Sequence, residues 1–372
     1  MKTLVIALVF WACSNPNEQP IVEVTSSVEY EAELVIGGLG IAWAFTWLPN
    51  GDMLITERSG DLHRARNGAL VGNPIEGLPE VVELGQGGLL DVQLHPDYEN
   101  NGWIYITYAS SEGQGSGANT ALMRARLNEA GTGLVDQEVL YKATPNTTRG
   151  QHFGSRIVFD NAGYVYFSVG DRGNRDTYPQ NPDLDGGKIY RLHDDGRIPD
   201  DNPFVDDDGL DAVYSYGHRN PQGMAKHPAT GEIWAHEHGP RGGDELNKIR
   251  RGANYGWPII SYGINYNGTT FAEGTARAGM EQPELYWVPS IAPSGMVFVN
   301  SDRYPGWEGD VLIGSLKFSY ITRVDMDGDT IVGQENLVSG IGRVRDVRQG
   351  PDGYVYFSVD GRGIFRLVEK TN

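Results

Sequence analysis

Two residues of this sequence could together move a proton. His152 lies in the segment 150–156, directly before a predicted strand, and an imidazole can act as a general base near neutral pH. Asp171 follows another predicted strand, and its carboxylate could orient an imidazole. Each residue also has an ordinary structural interpretation, as a histidine bonded to backbone and as a turn aspartate. The pair is therefore a hypothesis that requires the two side chains to meet in space.

A second set of residues could bind a small polyanion. Arg219 and Asn220 concentrate donors within the segment 217–223, which suits a carboxylate or carbonyl ligand. Arg343 and Arg345 alternate along an extended segment, so their side chains point the same way. Two further donors stand near predicted strand ends, Gln86 and Lys317. Each charge alone could be an ordinary surface group, but their recurrence in an acidic chain favours a small anionic ligand.

The dipeptide Gly239-Pro240 offers a possible cation site. A glycine and a proline together can turn backbone carbonyls inward, and carbonyl oxygens are good ligands for a hard cation such as calcium. This signal is weak by itself, and it needs other ligands to converge on the same point.

An internal repeat predicts where these residues lie. A turn with Asn or Asp and Gly precedes an alternating strand in six places, at residues 52–56, 103–108, 164–169, 232–236, 310–314 and 354–359. The repeat predicts an all-β, six-bladed β-propeller of four-stranded antiparallel blades, with residues 30–36 completing the last blade. We expect long inserted loops at 171–187, 195–212 and 252–285. Turns after the repeated strand fall at the same end of every blade, so their charged residues should share one rim.

The first residues predict export. Lys2 precedes an apolar run from Leu4 to Ala12, too short to span a bilayer, and then Cys13. Cys13 stands where a bacterial lipoprotein is cleaved and acylated, although a plain signal peptide with an incidental cysteine is the alternative. We divide the chain into a signal segment (1–13), a flexible tether (14–30) and one catalytic propeller domain (31–372). We expect a periplasmic or membrane-tethered lipoprotein outside the cytoplasmic membrane.

Composition restricts the partners. A net charge of −19 argues against nucleic acid and an anionic membrane face as ligands. Cys13 is the only cysteine, so the mature domain has no disulfide and no Cys-ligated metal. We expect a monomer that acts on a small molecule.

Seven motifs in order resemble the soluble aldose sugar dehydrogenases that depend on pyrroloquinoline quinone (PQQ), the glucose/sorbosone dehydrogenase family. The resemblance covers roughly residues 35–368. The motifs are residues 85–90 with 95–98, the His152 segment with Gly170-Asp171, 217–223, Gly239-Pro240 with Asp244-Glu245, 252–258, 315–317 and 343–346.

The resemblance implies that PQQ lies over the propeller axis and that an aldose is oxidised at its anomeric carbon to a lactone, with hydride passing to the quinone. His152 would take the proton of the anomeric hydroxyl, Asp171 would orient His152, and Arg219 would stabilise charge on the quinone. Calcium would bind backbone oxygens of Gly239 and Pro240. The implied PQQ ligands are Gln86, Arg219, Asn220, His238, Lys317, Arg343 and Arg345, and a second calcium would involve Glu245 and Tyr255.

Some features leave alternatives open. His238 stands where the glucose-oxidising relatives have glutamine, and Asp91 replaces a glycine of some of them, so the sugar and the oligomeric state stay undetermined. The electron acceptor, a quinone or a cytochrome, is also unknown. A calcium-dependent propeller lactonase or esterase would centre its metal on carboxylate and amide side chains. A non-catalytic ligand-binding propeller lipoprotein would need neither His152 nor the Arg343–Arg345 pair.

Overall fold

The six repeated segments form the second strands of six four-stranded antiparallel sheets. In the computed structural model, which describes residues 22–370, apolar side chains of these strands are buried between neighbouring sheets. Two of the strands have the same sequence, VYFSV, and all five residues are buried in both. Burying a Val or Phe side chain contributes about 1.5–3 kcal/mol, so stacking of the sheets stabilises the ring. The prediction of a six-bladed, all-β propeller is confirmed.

The chain enters at β1 (Tyr30–Ile36) and then forms the blades in order. Blade 1 contains β2 (Ala42–Trp47), β3 (Met53–Glu57), β4 (Leu62–Arg66) and β5 (Ala69–Leu70). Blade 2 contains β6 (Leu89–Leu94), β7 (Ile104–Ser110), β8 (Asn119–Leu127) and β9 (Leu134–Lys142), with α1 (Tyr98–Asn101) between β6 and β7. Blade 3 contains β10 (Ile157–Phe159), β11 (Val165–Val169), β12 (Lys188–Leu192) and β13 (Val213–Tyr216).

The remaining blades follow the same plan. Blade 4 contains β14 (Pro221–Lys226), β15 (Ile233–Glu237), β16 (Asp244–Lys248) and β17 (Leu285–Trp287). Blade 5 contains β18 (Pro293–Phe298), β19 (Val311–Ser315), β20 (Ile321–Asp327) and β21 (Thr330–Leu337). Blade 6 contains β22 (Val344–Gln349), β23 (Val355–Val359) and β24 (Gly363–Glu369). The three predicted insertions occur after β11, after β12 and after β16.

The ring closes through the first strand of the chain. β1 pairs antiparallel with β24, from Tyr30 opposite Glu369 to Ile36 opposite Ile364, and supplies the fourth strand of blade 6. This is the closure that the sequence predicted. Because β1 comes from the other end of the chain, it fixes the last blade beside the first and covers an otherwise open edge.

The first strands of successive blades contact one another around the axis. Four charged residues meet there: the buried Asp91 of β6, Arg156 before β10 and Asp346 of β22, and Arg348 of β22, whose side chain is 11% exposed. Arg156 bonds Asp346 at 2.8 Å, and Arg348 bonds Asp91 at 2.5 Å and Asp346 at 2.8 Å. Two cations and two carboxylates balance, so Asp91 has a structural explanation that its position in the sequence did not give.

No helix within residues 22–370 is long and apolar enough to cross a membrane. Cys13, the signal segment and the tether up to residue 21 lie outside the described residues.

We expect Asp91→Ala to lower the free energy of unfolding by about 3–5 kcal/mol, because Arg156 and Arg348 would then share one carboxylate. Urea unfolding followed by tryptophan fluorescence measures the change. Asp302 lies exposed on a loop, and Asp302→Ala is the control, with an expected change within about 0.5 kcal/mol. An Asp91→Ala effect no larger than that of the control would contradict the proposed charge balance.

Candidate active site

Residues from all six blades converge at one end of the ring. They line a cavity of about 250 Å³, here named the axial cavity, whose polar and charged members are Arg58, Gln86, Asn220, Gln222, His238, Arg343 and Arg345. A second cavity of about 420 Å³, the outer cavity, is lined by His152, Asp171, Arg219, Pro240 and Trp257 together with more exposed polar groups. The turns that follow the second strands therefore lie on one rim, as their position in the sequence repeat predicted.

His152 and Asp171 are in direct contact. The Nδ1 atom of His152 lies 2.6 Å from Oδ1 of Asp171, and the Asp171 side chain is 1% exposed. A carboxylate can only accept a hydrogen bond, so Nδ1 carries the proton and Nε2 is left as the basic nitrogen. The Asp171 backbone N–H donates to the Arg219 carbonyl at 2.8 Å, which joins the pair to blade 4.

The surroundings keep this imidazole neutral. Burial lowers the pKa of His152, and the positive charge of Arg219 lowers it further, while the hydrogen bond and charge of Asp171 oppose this shift. Burial alone would raise the pKa of Asp171, but its contacts with His152 and the charge of Arg219 hold that pKa below its usual value. The result is a neutral base beside an ionised carboxylate.

The backbone at His152 is strained in the conformation that brings the ring to Asp171. Its φ is 58°, in the left-handed region that non-glycine residues seldom adopt. The Gln86 Oε1 atom accepts the His152 N–H at 2.8 Å, which holds this conformation from blade 2. The buried Arg172 guanidinium donates to the carbonyls of Gln151 and Arg149. Arg172 thus stabilises the segment before His152. It does so although it directly follows Asp171, which contacts the His152 ring.

Arg219 and its neighbours connect the two cavities. Arg219 Nη1 donates to the His238 carbonyl at 3.0 Å, and its guanidinium carbon lies 5.3 Å from the Trp257 ring centroid. Asn220 accepts the Gly154 N–H at 3.1 Å through Oδ1, which leaves its amide hydrogens for the axial cavity. His238 donates from Nε2 to the Pro293 carbonyl at 2.5 Å. Burial lowers the pKa of His238 to about 3, so this ring is neutral.

Arg343 and Arg345 point the same way and share Asp360. Arg345 bonds both carboxylate oxygens, at 3.1 and 2.8 Å, and Arg343 Nε lies 3.3 Å from Oδ2. Two cations on one carboxylate leave a positive charge at the axial cavity. Lys317 is exposed, with its ammonium 4.8 Å from the Phe318 ring centroid, and its neighbour Leu316 lines the cavity instead.

Gly239, Glu245 and Tyr255 line a void of about 10 Å³, the size of a single ion or water. Burial raises the pKa of Glu245 well above its usual value, and the charge of Glu237 raises it further. Glu237 is already bonded to His218 and to the Arg219 N–H, whereas the Glu245 carboxylate has, among residues 22–370, only a 3.4 Å contact with Asn247. A half-buried carboxylate with so few partners fits a cation. Pro240 lines the outer cavity rather than this void.

A family model described as glucose/sorbosone dehydrogenase matches residues 39–366. The chain belongs to the glucose/sorbosone dehydrogenase family. The aldose sugar dehydrogenase YliI of Escherichia coli (strain K12) is 44% identical to it over 323 residues, 86% of each protein. The resemblance inferred from the motifs is confirmed, and this dehydrogenase is an enzyme of the oxidoreductase class.

Two further relatives extend the similarity. Quinoprotein glucose dehydrogenase B of Acinetobacter calcoaceticus is 26% identical over 412 residues, 89% of this dehydrogenase and 85% of that protein. The solved PQQ-bound aldose sugar dehydrogenase of Streptomyces coelicolor has a TM-score of 0.76 at 26% identity, covering 93% of this chain and 100% of that one.

Sequence reasoning missed several residues of this dehydrogenase that line or support the two cavities. Trp257 lies within the motif at residues 252–258, but nothing in the sequence indicated a role for it. Asp360 followed a repeated strand, and its spacing from Arg343 and Arg345 gave no sign of contact. Trp43 lines the axial cavity from β2, where its apolar neighbours made it look like a core residue.

We expect Asp171→Asn to lower the pKa of His152 further, because the negative charge that favours the imidazolium is removed while Arg219 and Arg172 remain. An NMR titration of the His152 ring measures this shift in the protein alone. Asp176 lines the same cavity with a side chain that is 78% exposed, so Asp176→Asn should change the titration little. An unchanged His152 pKa in Asp171→Asn would show that the contact is not electrostatically important.

Proposed function

We propose that this dehydrogenase oxidises aldose sugars at the anomeric carbon to the lactone, with PQQ and calcium as its cofactors. The observation that carries the proposal is the adjacency of a cation-lined axial cavity and a neutral, carboxylate-oriented histidine. Neither feature is needed for the stability of a propeller. The family membership and the PQQ-bound relative support the same conclusion.

The residues fit the proposed cofactors. PQQ is a tricarboxylate, and the axial cavity offers Arg343, Arg345 and the amides of Gln86 and Asn220, with no carboxylate among its described lining residues. His238 also lines this cavity, Arg219 stands beside it, and Lys317 lies on the same rim. Calcium would bind the carbonyls of Gly239 and Pro240, and a second ion would bind at Glu245 and Tyr255. When bound, PQQ supplies the two-electron acceptor for the hydride, and calcium supplies the positive charge that polarises it.

The residues of this chain would handle the proton. His152 would accept the proton of the anomeric hydroxyl at Nε2, because Nδ1–H is held by Asp171. Asp171 would then stabilise the imidazolium that forms. Arg219 would add positive charge near the reacting centre, and Pro240 and Trp257 would form the wall against which the sugar lies. Asn174, Asp176 and Asn265 could bond sugar hydroxyls from the outer cavity.

Both alternative functions explain less of the site. A calcium-dependent lactonase would place carboxylates around the axis at this end, but the described lining of the axial cavity is cationic. A non-catalytic binding protein gives no reason for a strained histidine backed by a buried aspartate. The quinone enzyme uses both features.

Metal-stripped protein should reduce a dye with an aldose only after PQQ and calcium are both added. His152→Ala should lower kcat by about 100- to 10,000-fold with little change in PQQ affinity, because the base is lost but the cavity is kept. Arg345→Ala should instead weaken PQQ binding roughly 10- to 100-fold, the loss of a charged hydrogen bond. Dye assays and PQQ titration by fluorescence measure the two quantities.

Arg303 lies at a loop bonded to the Asp352 carbonyl, away from both cavities, and Arg303→Ala is the control for loss of a positive charge. Arg303→Ala should change neither kcat nor the affinity for PQQ. Folded protein that binds no PQQ at micromolar concentration would refute the proposal, and lactones would be tested next.

We also propose that the chain is exported and acylated at Cys13, on the basis of its position after the apolar run. Cells fed an alkyne fatty acid should label the wild-type protein, whereas Cys13→Ser should be unlabelled. Equal labelling of both would contradict the lipoprotein proposal.

A further inference from the structure

The two oxygens of the Asp171 carboxylate have different partners. Oδ1 accepts from His152 and from the Gly173 N–H, at 2.6 and 2.7 Å. Oδ2 accepts from the indole Nε1–H of Trp257 at 2.9 Å, and within residues 22–370 this is its only hydrogen bond. The carboxylate is therefore fixed at one side by the base and the backbone, and at the other side by one tryptophan.

Trp257 is held in place independently of Asp171. Its backbone N–H donates to the Gly217 carbonyl at 2.8 Å, and its own carbonyl accepts from Gln180 Nε2 at 2.8 Å. Its ring meets the edge of Phe271 at 5.1 Å between centroids, and the residue is 7% exposed. The insertion after β16 thus delivers a rigid N–H donor to the centre of the site.

We propose that Trp257 is a positioning residue that acts on His152 through Asp171. The indole N–H fixes the plane of the carboxylate, so that Oδ1 holds the imidazole in one orientation and one tautomer. The same N–H draws negative charge toward Oδ2. It therefore weakens the interaction of the Asp171 carboxylate with the Nδ1 proton of His152. This inference rests on the proposed function for its catalytic consequence, but the contact itself can be tested without it.

Loss of the Trp257 indole N–H should change the pKa of His152 in a definite direction. The carboxylate would lose its partner at Oδ2, its charge would act more strongly on His152, and the imidazolium would be better stabilised. The other charged groups facing His152 are Arg219 and Arg172, and the outer cavity adds Arg149, Arg175 and Asp176. All of these remain in the variant. The pKa of His152 should therefore rise, by up to about one pH unit, opposite in direction to Asp171→Asn.

Trp257→Phe tests the proposal in two ways. An NMR titration of His152 in the protein without cofactors should show the raised pKa. In the reconstituted enzyme, activity requires neutral His152, so the acidic limb of kcat/KM should move to higher pH, and kcat should fall roughly tenfold as orientation is lost. Trp287→Phe is the matched control: Trp287 lies in blade 4, its Nε1–H donates to Gln334 of blade 5 at 3.2 Å, and neither measurement should change.

Replacement of Trp257 by benzothienylalanine keeps the ring shape without the N–H, and it decides the outcome if Trp257→Phe does not fold. The same rise in pKa in this variant supports the proposal. An unchanged His152 titration, with activity lowered equally at every pH, would overturn it and leave Trp257 a packing residue. If the wild-type protein reduces no dye, the proposed function fails, whereas the NMR titration still decides whether Trp257 acts on His152.

Discussion

The pairing of β1 with β24 turns a row of six sheets into a ring. Without it, blade 6 would have an exposed edge, and only the packing of β2 against β22 and β23 would hold blade 6 beside blade 1. The axial cavity depends on that relation, because it takes Arg58 from blade 1 and Arg343 and Arg345 from blade 6. A contact between the two ends of the chain thus sets the distances on which a ligand site at the axis depends.

Charge is distributed differently along the axis. Among the first strands, Asp91, Asp346, Arg156 and Arg348 balance one another. At the end that holds the axial cavity, two arginines share Asp360, and Glu245 has no ion pair with a cation among residues 22–370. The excess positive charge at Arg343 and Arg345 and the sparsely bonded Glu245 are therefore the groups that we propose an anion and a cation compensate.

Contacts within the protein hold the proposed base, His152, in position. Gln86 and Arg172 hold the strained His152 segment, Asp171 fixes the proton on Nδ1, and Trp257 fixes Asp171. These contacts come from blades 2 and 3 and from the insertion in blade 4. Such support reduces the reorganisation that proton transfer would otherwise require.

The sequence by itself determined the architecture: six repeated strands, the closing strand 30–36, the inserted loops and the shared rim. Each of these follows from the spacing of the repeat, the residues of its turns and the position of the turns within it. These are local properties that can be read from the sequence. Local alternation also predicted that Arg343 and Arg345 point together. The motifs identified the family, and with it the residues expected at the site.

Only the tertiary structure decided which polar residues serve the site and which serve the fold. Arg172 follows Asp171 directly, yet it is buried against backbone carbonyls, while Asp171 meets His152. Asp91 and Arg348 bond across 257 positions of sequence, and Trp257 reaches Asp171 across 86. Periodicity specifies which face a residue occupies, but the partner on the opposite blade is set by ring closure and loop conformation. Those contacts therefore could not be predicted from a single sequence.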